Sequence, residues 1–429
     1  MKGTLFSQSS EQNTQAIAQQ LIAAMQGQQG SWFAQLRDQT RLEDKLLNWT
    51  LNNPGLRVQL FRLIDVLPTL STKAEIARHL QEYLTLPGVE LPSALKQLLN
   101  FAAPDSLPGQ MAATTFSTAV SALAHRYIAG ENITQVQKTI EKLHRNSMAF
   151  TVDILGEAVI TEQEAAAYLQ KYLDLMAQLA QGSSTTEANL SKGQVSVKLT
   201  AFYSQIDPLD AQGSQAQASD RIRTLLRHAQ KLGIAVHFDM EQYVYKTLTL
   251  ETLKGLLMEP EFRDRNDIGL TLQAYLRDSY SDLQSLIEWA KLRGTPVTVR
   301  LVKGAYWDQE MIQSAQRGWQ QPVYSAKADT DANFERMTQL LLENHSILHA
   351  AIGSHNVRSQ AKAIAVANEL QIPPQRFESQ VLYGMADKLA QALSTEGHRV
   401  RVYCPYGELI PGMSYLIRRL LENTANSSF

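Results

Sequence analysis

Cysteine is nearly absent from this chain. Cys404 is the only one among 429 residues, which excludes an intramolecular disulfide and any cysteine-rich metal cluster, and suits a reducing compartment. An excess of one charge is missing too: 40 Lys and Arg stand against 42 Asp and Glu for a net charge of -2. No global basic field therefore argues for a nucleic-acid partner. Long hydrophobic runs are also lacking. The smoothest stretch, residues 111–129, is broken by Thr, Ser, His125 and Arg126 and is too polar to span a bilayer. The opening Met1-Lys-Gly-Thr-Leu-Phe-Ser carries no long apolar core of a signal peptide. No Gly-x-Gly-x-x-Gly follows an early strand, and no short-period repeat or low-complexity tract appears. These absences leave a cytoplasmic, small-molecule-handling protein, whose 44% hydrophobic content is ample for a sizeable core.

What is present falls into two textures. From about residue 10 to 145 the pattern is helical, punctuated by Pro54, Pro68, Pro87, Pro92, Pro104 and Pro108. We expect an all-helical N-terminal region made of a helical arm over 1–60 and a helical domain over 61–145. It is rich in Gln and Ala and gathers no catalytic residue types, so it reads as packing or docking structure. From 146 to 429 short β-rich runs alternate with helical segments. The runs lie at 149–155, 194–199, 234–239, 269–275, 296–302, 348–353, 376–382 and 399–404. Such alternation argues for parallel strands joined by right-handed crossovers, and eight units in this length predict an α/β fold of the (β/α)8 TIM-like barrel type. The crossover spanning 307–343 is long enough for two helices.

In such a barrel the chemistry lies where strands end. Those positions hold Glu157, Lys198, Asp239 with Glu241, Gln273 with Tyr275, Arg300 with Lys303, Ser354-His355-Asn356, Glu378 with Gln380, and Tyr403. Charged groups closing apolar strands are costly unless they find partners or face a site, and a ring of them predicts a functional mouth. After strand 5 the chain reads Arg300-Leu-Val-Lys-Gly-Ala-Tyr-Trp307. Gly304 and Ala305 allow close backbone approach to a pyrophosphate, Arg300 and Lys303 supply charge, and Trp307 offers a flat apolar surface for a ring. Near the C-terminus Tyr415, Arg418, Arg419 and Glu422 share one helical face, where adjacent guanidiniums can grip a small carboxylate.

The strand 5 segment, together with Tyr415-Leu-Ile-Arg-Arg-Leu-Leu-Glu-Asn423 and Ala425-Asn-Ser-Ser-Phe429, resembles proline dehydrogenase, in particular the flavin domain of bacterial proline utilization A, over residues 150–429. The resemblance implies FAD as cofactor and oxidation of L-proline to Δ1-pyrroline-5-carboxylate, with hydride passing from proline C5 to flavin N5. By the same resemblance Lys198, Arg418 and Arg419 bind the carboxylate, Tyr403 and Tyr415 wall the ring with Leu301 and Tyr306 nearby, and Asp239 orders the pocket. Arg300 lies near the flavin N5 and Gln273 bonds the isoalloxazine edge. Met240, Val302, Lys303, Gly304, Ala305, Ser354 and His355 meet the cofactor's ribityl and phosphate portions, while Glu422 and Phe429 match positions near its adenosine end. Glu157 pairs with Arg418 as a gate. A membrane quinone is the implied electron acceptor, through peripheral docking at the inner face of the membrane. In bifunctional relatives an aldehyde dehydrogenase domain follows and receives the product.

The residues admit other readings. His237, Asp239 and Glu241 alternate as metal ligands can, but no second histidine cluster supports them, so no metal is expected. A Schiff-base aldolase using Lys198 or Lys303 leaves the paired arginines unexplained. A non-catalytic scaffold acting through the helical half is a third possibility. Cys404, between Tyr403 and Pro405, reads as a small buried residue rather than a nucleophile.

Overall fold

The computed structural model describes residues 8–27, 53–91, 96, 99, 103–156, 159–182, 193–408 and 412. Eight parallel strands close on one another in chain order: β1 Met148–Ile154, β2 Gln194–Val197, β3 Ala235–Phe238, β4 Ile268–Gln273, β5 Val297–Val302, β6 Leu348–Gly353, β7 Glu378–Leu382 and β8 Val400–Tyr406. Every β-rich run overlaps one of them. Differences sit at the ends, where turns compete with the ladder. Lys198 and Leu199 leave β2 for a 3-10 turn at Leu199–Ala201, and Arg376 belongs to another at Pro374–Arg376. β8 runs past the expected stop at 404, because Tyr406 bridges to Gly130.

Alternation along the strands sorts the side chains. One phase, including Val195, Val197, Val236, Phe238, Leu270, Leu272, Val299, Leu301, Ile352, Val381 and Val402, is apolar and buried. The other phase is polar and buried: Thr151, Asp153, Ser196, His237, Thr271, Gln273, Arg300, Glu378, Gln380 and Arg401. The hydrogen bonds that link Ser196, Arg300, Gln380, Glu378 and Arg401 across the barrel show that this phase fills the interior. Register places Arg300 opposite Ala351 and Ala351 opposite Glu378. A methyl on β6 between two long side chains leaves space for both.

The barrel unit comprises the described residues of 8–27 and 133–405, and the remaining described residues form a second unit. Around the strands run α1 Gln8–Gln26, α5 Ile133–Arg145, α6 Glu162–Gly182, α7 Ala211–Leu232, α8 Tyr243–Leu256, α9 Ser279–Arg293, α10 Trp307–Arg317, α11 Lys327–Glu343, α12 Val357–Glu369 and α13 Asp387–Thr395. α10 and α11 are the two helices of the long crossover. α1 packs along α12. There Arg358 donates to both oxygens of Glu11 at 2.6 and 3.0 Å, and the buried Lys362 donates to Ser10 Oγ at 3.2 Å.

The second unit contains α2 Pro54–Val66, α3 Lys73–Leu84 and α4 Leu107–Tyr127. Leu56, Leu63, Ala77, Leu80, Leu84, Leu99 and Ala113 form its core. α3 starts with a capping box: Thr72 Oγ1 accepts from the Glu75 amide at 3.2 Å, and Glu75 accepts from the Thr72 amide at 2.9 Å. Among the described residues, no helix is long and apolar enough to cross a membrane.

Candidate active site

Five strands bring their polar ends to one cluster. Asp239, immediately after β3, is its hub. Oδ1 accepts from Ser196 Oγ at 2.8 Å and from Arg300 Nη1, and Oδ2 accepts from the Tyr403 hydroxyl at 2.7 Å. Lys198 Nζ lies 3.6 Å from Oδ2 and donates to Asp153 Oδ1 at 2.7 Å. The Arg300 guanidinium stands 5.2 Å above the centre of the Tyr403 ring. Two carboxylates therefore face two cations, with a serine and a phenol completing the hydrogen bonds. Burial alone favours neutral Lys198, but Asp153 and Asp239 outweigh it and hold the ammonium well above its ordinary pKa. Burial likewise pushes the Tyr403 phenol well up, so it remains an O–H donor to Asp239.

Arg300 is 4% exposed. Its Nε donates to Gln380 Oε1 at 2.6 Å and its Nη1 to Ser196 Oγ at 3.1 Å and to Asp239. Nη2 is buried with no hydrogen-bond partner among the described residues. Leu301, next along β5, is fully buried and has the opposite strand phase.

A second group surrounds Gln273, at the end of β4. Its Nε2 donates to the carbonyls of Met240 and Glu241 at 3.4 and 3.1 Å, while its buried Oε1 has no partner. Glu241 is held by the Thr200 hydroxyl at 2.7 Å and the Thr200 amide at 3.3 Å, which ties the loop after β3 to the turn after Lys198. Burial pushes the Glu241 carboxyl up. Among the described residues, no group of three or more His, Cys, Asp or Glu side chains is arranged to hold a metal ion.

Beyond β5 the chain turns through Gly304, whose φ of +137° favours glycine. A Cβ there would lie 2.5 Å from atoms of the Tyr275 ring, so ring and backbone are in direct contact. Val302, Lys303 and Tyr306 are half-buried and Ala305 is exposed. Lys303 is paired with Asp331, which also accepts from Lys327 at 2.7 Å. Burial pulls the Lys303 ammonium down and Asp331 partly restores it. Trp307 opens α10 and donates its Nε1 proton to the Tyr324 carbonyl at 2.8 Å. After β6 the Ser354 amide donates to the Gln380 carbonyl at 3.2 Å, and His355 Nε2 accepts from the Leu382 amide at 3.0 Å. A neutral His355 ring thus carries its proton on Nδ1.

Lys198, Asp239, Arg300 and Tyr403 meet in one cluster, with Gln273 and Met240 in a neighbouring group. Glu157, Tyr415, Arg418, Arg419, Glu422 and Phe429 lie outside the described residues. The cluster also contains Asp153 and Ser196, which a reading of strand ends overlooked. Both are polar and in the inward phase of apolar strands, and that was the available signal.

At the mouth of this parallel barrel the strand ends gather paired charges, an orphaned amide oxygen and a glycine turn against an aromatic ring. A family model described as proline dehydrogenase matches residues 136–429, and one described as proline utilization A N-terminal domain matches residues 11–127. The chain belongs to the proline dehydrogenase family. It is 28% identical over 318 residues to the bifunctional protein PutA of Salmonella typhimurium, covering 72% of this chain and 24% of that protein. With proline dehydrogenase 1 of Bacillus subtilis it shares 29% identity over 306 residues, 71% of this chain and 88% of the relative. The crystal structure of proline utilization A from Bdellovibrio bacteriovorus, inactivated by N-propargylglycine, superposes with a TM-score of 0.86 at 38% identity, over 98% of this chain and 42% of that one. The chain thus spans about a quarter of the bifunctional relative's length and under half of the solved one's.

Proposed function

We propose that this chain catalyses the FAD-dependent oxidation of L-proline to Δ1-pyrroline-5-carboxylate, and that its electrons pass to a membrane quinone. The observation that carries the reading is the hub at Asp239: ion-paired and hydrogen-bonded groups from five strands, within the segment matched by the proline dehydrogenase family. The residues present fit a flavin. Gln273 offers a buried acceptor without a partner, suited to a heterocycle edge bearing an N–H, and the Gly304 turn, seated against the Tyr275 ring, follows the half-buried Lys303 at the end of β5. When bound, the flavin supplies the two-electron acceptor for the substrate's hydride.

The protein's own groups orient the substrate and stabilise charge. Lys198, with Arg418 and Arg419, grips the carboxylate. Tyr403, Tyr415 and Tyr306 shape the apolar wall, and Leu301, on the opposite phase of β5, packs behind that strand instead of lining the site. Asp239 and Asp153 hold Lys198 and Arg300 at fixed positions, which lowers the cost of orientation during turnover. Glu157 and Arg418 close the site. Met240, Gln273, Arg300, Val302, Lys303, Gly304, Ala305, Trp307, Ser354, His355, Glu422 and Phe429 serve the cofactor. The Lys198 ammonium, paired with two carboxylates, is poorly suited to the nucleophilic role that an aldolase requires.

A cytoplasmic chain docked peripherally at the inner face of the membrane would reach the quinone. The product would pass to an aldehyde dehydrogenase domain or protein. The experiment is a visible spectrum of the purified chain before and after anaerobic addition of proline. Bleaching of a flavin band supports the reading, and a chain purified without flavin that cannot be reconstituted refutes it. Arg418→Met or Arg419→Met should raise the proline KM strongly while flavin stays bound; loss of flavin would reassign the arginines to the cofactor.

A further inference from the structure

Below the Asp239 hub the barrel interior contains a second charged group, which the proposed chemistry leaves unused. Glu378 and Gln380 occupy alternate inward positions of β7 and are 7% and 4% exposed. Glu378 Oε1 accepts from Arg401 Nε at 2.8 Å, and its Oε2 lies 3.2 Å from Arg399 Nε. Arg401 in turn donates from Nη1 to the Phe150 carbonyl at 2.6 Å. Glu378 Oε1 also accepts from Gln380 Nε2 at 2.6 Å, while Gln380 Oε1 accepts from Arg300 Nε at 2.6 Å. The hydrogen bonds form one continuous chain from Arg401 of β8 to the guanidinium of β5, with Arg399, just before β8, ion-paired to the Glu378 carboxylate.

We infer that Glu378, acting through Gln380, is a positioning device for Arg300. The claim rests on the reading of Arg300 as an active-site residue. A glutamine side chain has a donor end and an acceptor end of nearly equal shape, and its neighbours decide which way it faces. An ionised carboxylate only accepts, so Glu378 compels the NH2 end of Gln380 to turn toward it. The carbonyl end must then face Arg300, where it accepts from Nε. Arg401 and Arg399 keep that selector ionised. Although burial opposes the charge, they outweigh it and hold the Glu378 carboxyl at about 2. With Nε tied to Gln380 and Nη1 tied to Ser196 and Asp239, the plane of the guanidinium is defined by three partners. Nη2 is left in a set direction with no partner among the described residues. An ordinary ion cluster packed in the barrel core would need no amide with a determined orientation between it and the site.

The test uses Gln380→Leu and Glu378→Gln in the full chain, each alone and in an Arg300→Lys background. A positioning role predicts that each single change slows flavin reduction by proline roughly ten-fold or more, with proline affinity altered less than about three-fold and the flavin midpoint potential shifted. In the Arg300→Lys background the same changes add less than about two-fold, since the residue through which they act is already altered. Full additivity overturns the proposal, as does an unchanged reduction rate in a folded Gln380→Leu chain. If Glu378→Gln fails to fold, the Gln380→Leu cycle decides. A further readout needs neither flavin nor turnover: hydrogen exchange of the Arg300 Nε–H in the cofactor-free chain, assigned by its loss in Arg300→Lys. Faster exchange in Gln380→Leu supports the positioning role even if the proposed activity fails, and unchanged exchange refutes it.

Discussion

The two units differ in the polarity of what they bury: the helical unit packs an aliphatic core, while the barrel unit buries a polar interior as well as apolar residues. In the helical unit the core is aliphatic, built from Leu56, Leu63, Leu80, Leu84 and Leu99. Burying such groups stabilises at about 25 cal/mol per Å² of apolar area. The barrel keeps its apolar residues on one strand phase and fills its interior with Asp153, Ser196, His237, Arg300, Glu378, Gln380 and Arg401. Ion pairs in that setting recover their desolvation cost only when fully bonded. The contrast separates residues that hold the chain together from residues whose ordering serves chemistry. Changes in the aliphatic core of the helical unit should alter stability with little effect on turnover, whereas changes among the interior charges of the barrel should alter turnover.

Four measurements would break or sharpen this contrast. The largest effect is expected at Arg300. Arg300→Met should lower kcat for proline oxidation roughly 1000-fold, about 4 kcal/mol of transition-state stabilisation, with the chain still folded. Retained turnover would show that the interior charges are structural after all. Next, Leu63→Ala should destabilise the helical unit by about 3 kcal/mol through the cavity it leaves. Hydrogen exchange across 54–84 would detect the change, and flavin reduction should stay within about two-fold of the unaltered chain; a large loss of rate would contradict the division.

The third measurement is pH dependence. The ordinary value of the Glu378 carboxyl, 4.5, falls to about 2 in the folded chain. Its stabilising contribution is therefore complete above about 4.5 and is lost as pH falls toward 2. Glu378→Gln should flatten the stability profile across that window, as followed by acid titration of circular dichroism. An equally steep profile would mean that other carboxylates govern acid unfolding. The smallest effect is at the α3 cap: Thr72→Ala should cost about 1 kcal/mol, read by chemical denaturation, with no change in proline turnover.

Much of this architecture was legible in the chain. Eight β-rich runs separated by helical patterns led directly to eight parallel strands, because strand and helix periodicities are local properties. Their ends were less legible. Tyr406 extends β8 by bridging to Gly130, a partner distant in sequence. At the site, Lys198, Asp239, Gln273 and Arg300 stood out because charged or amide groups close apolar strands. Asp153 and Ser196 did not, since each is a lone polar residue until the barrel closes and turns it toward Asp239 and Lys198. Gln380 was visible as a strand-end amide, but nothing in the sequence orients that amide.

The sequence by itself therefore determined the order of elements and the family to which the chain belongs. Periodicity and contiguous motifs survive in one dimension. Only the tertiary structure decided that Asp239 is the hub, that Lys198 is held as an ammonium between two carboxylates, and that Glu378 reaches Arg300 through one glutamine. Those facts depend on distances across a closed barrel, where low dielectric strengthens each bond and makes every unpartnered charge costly.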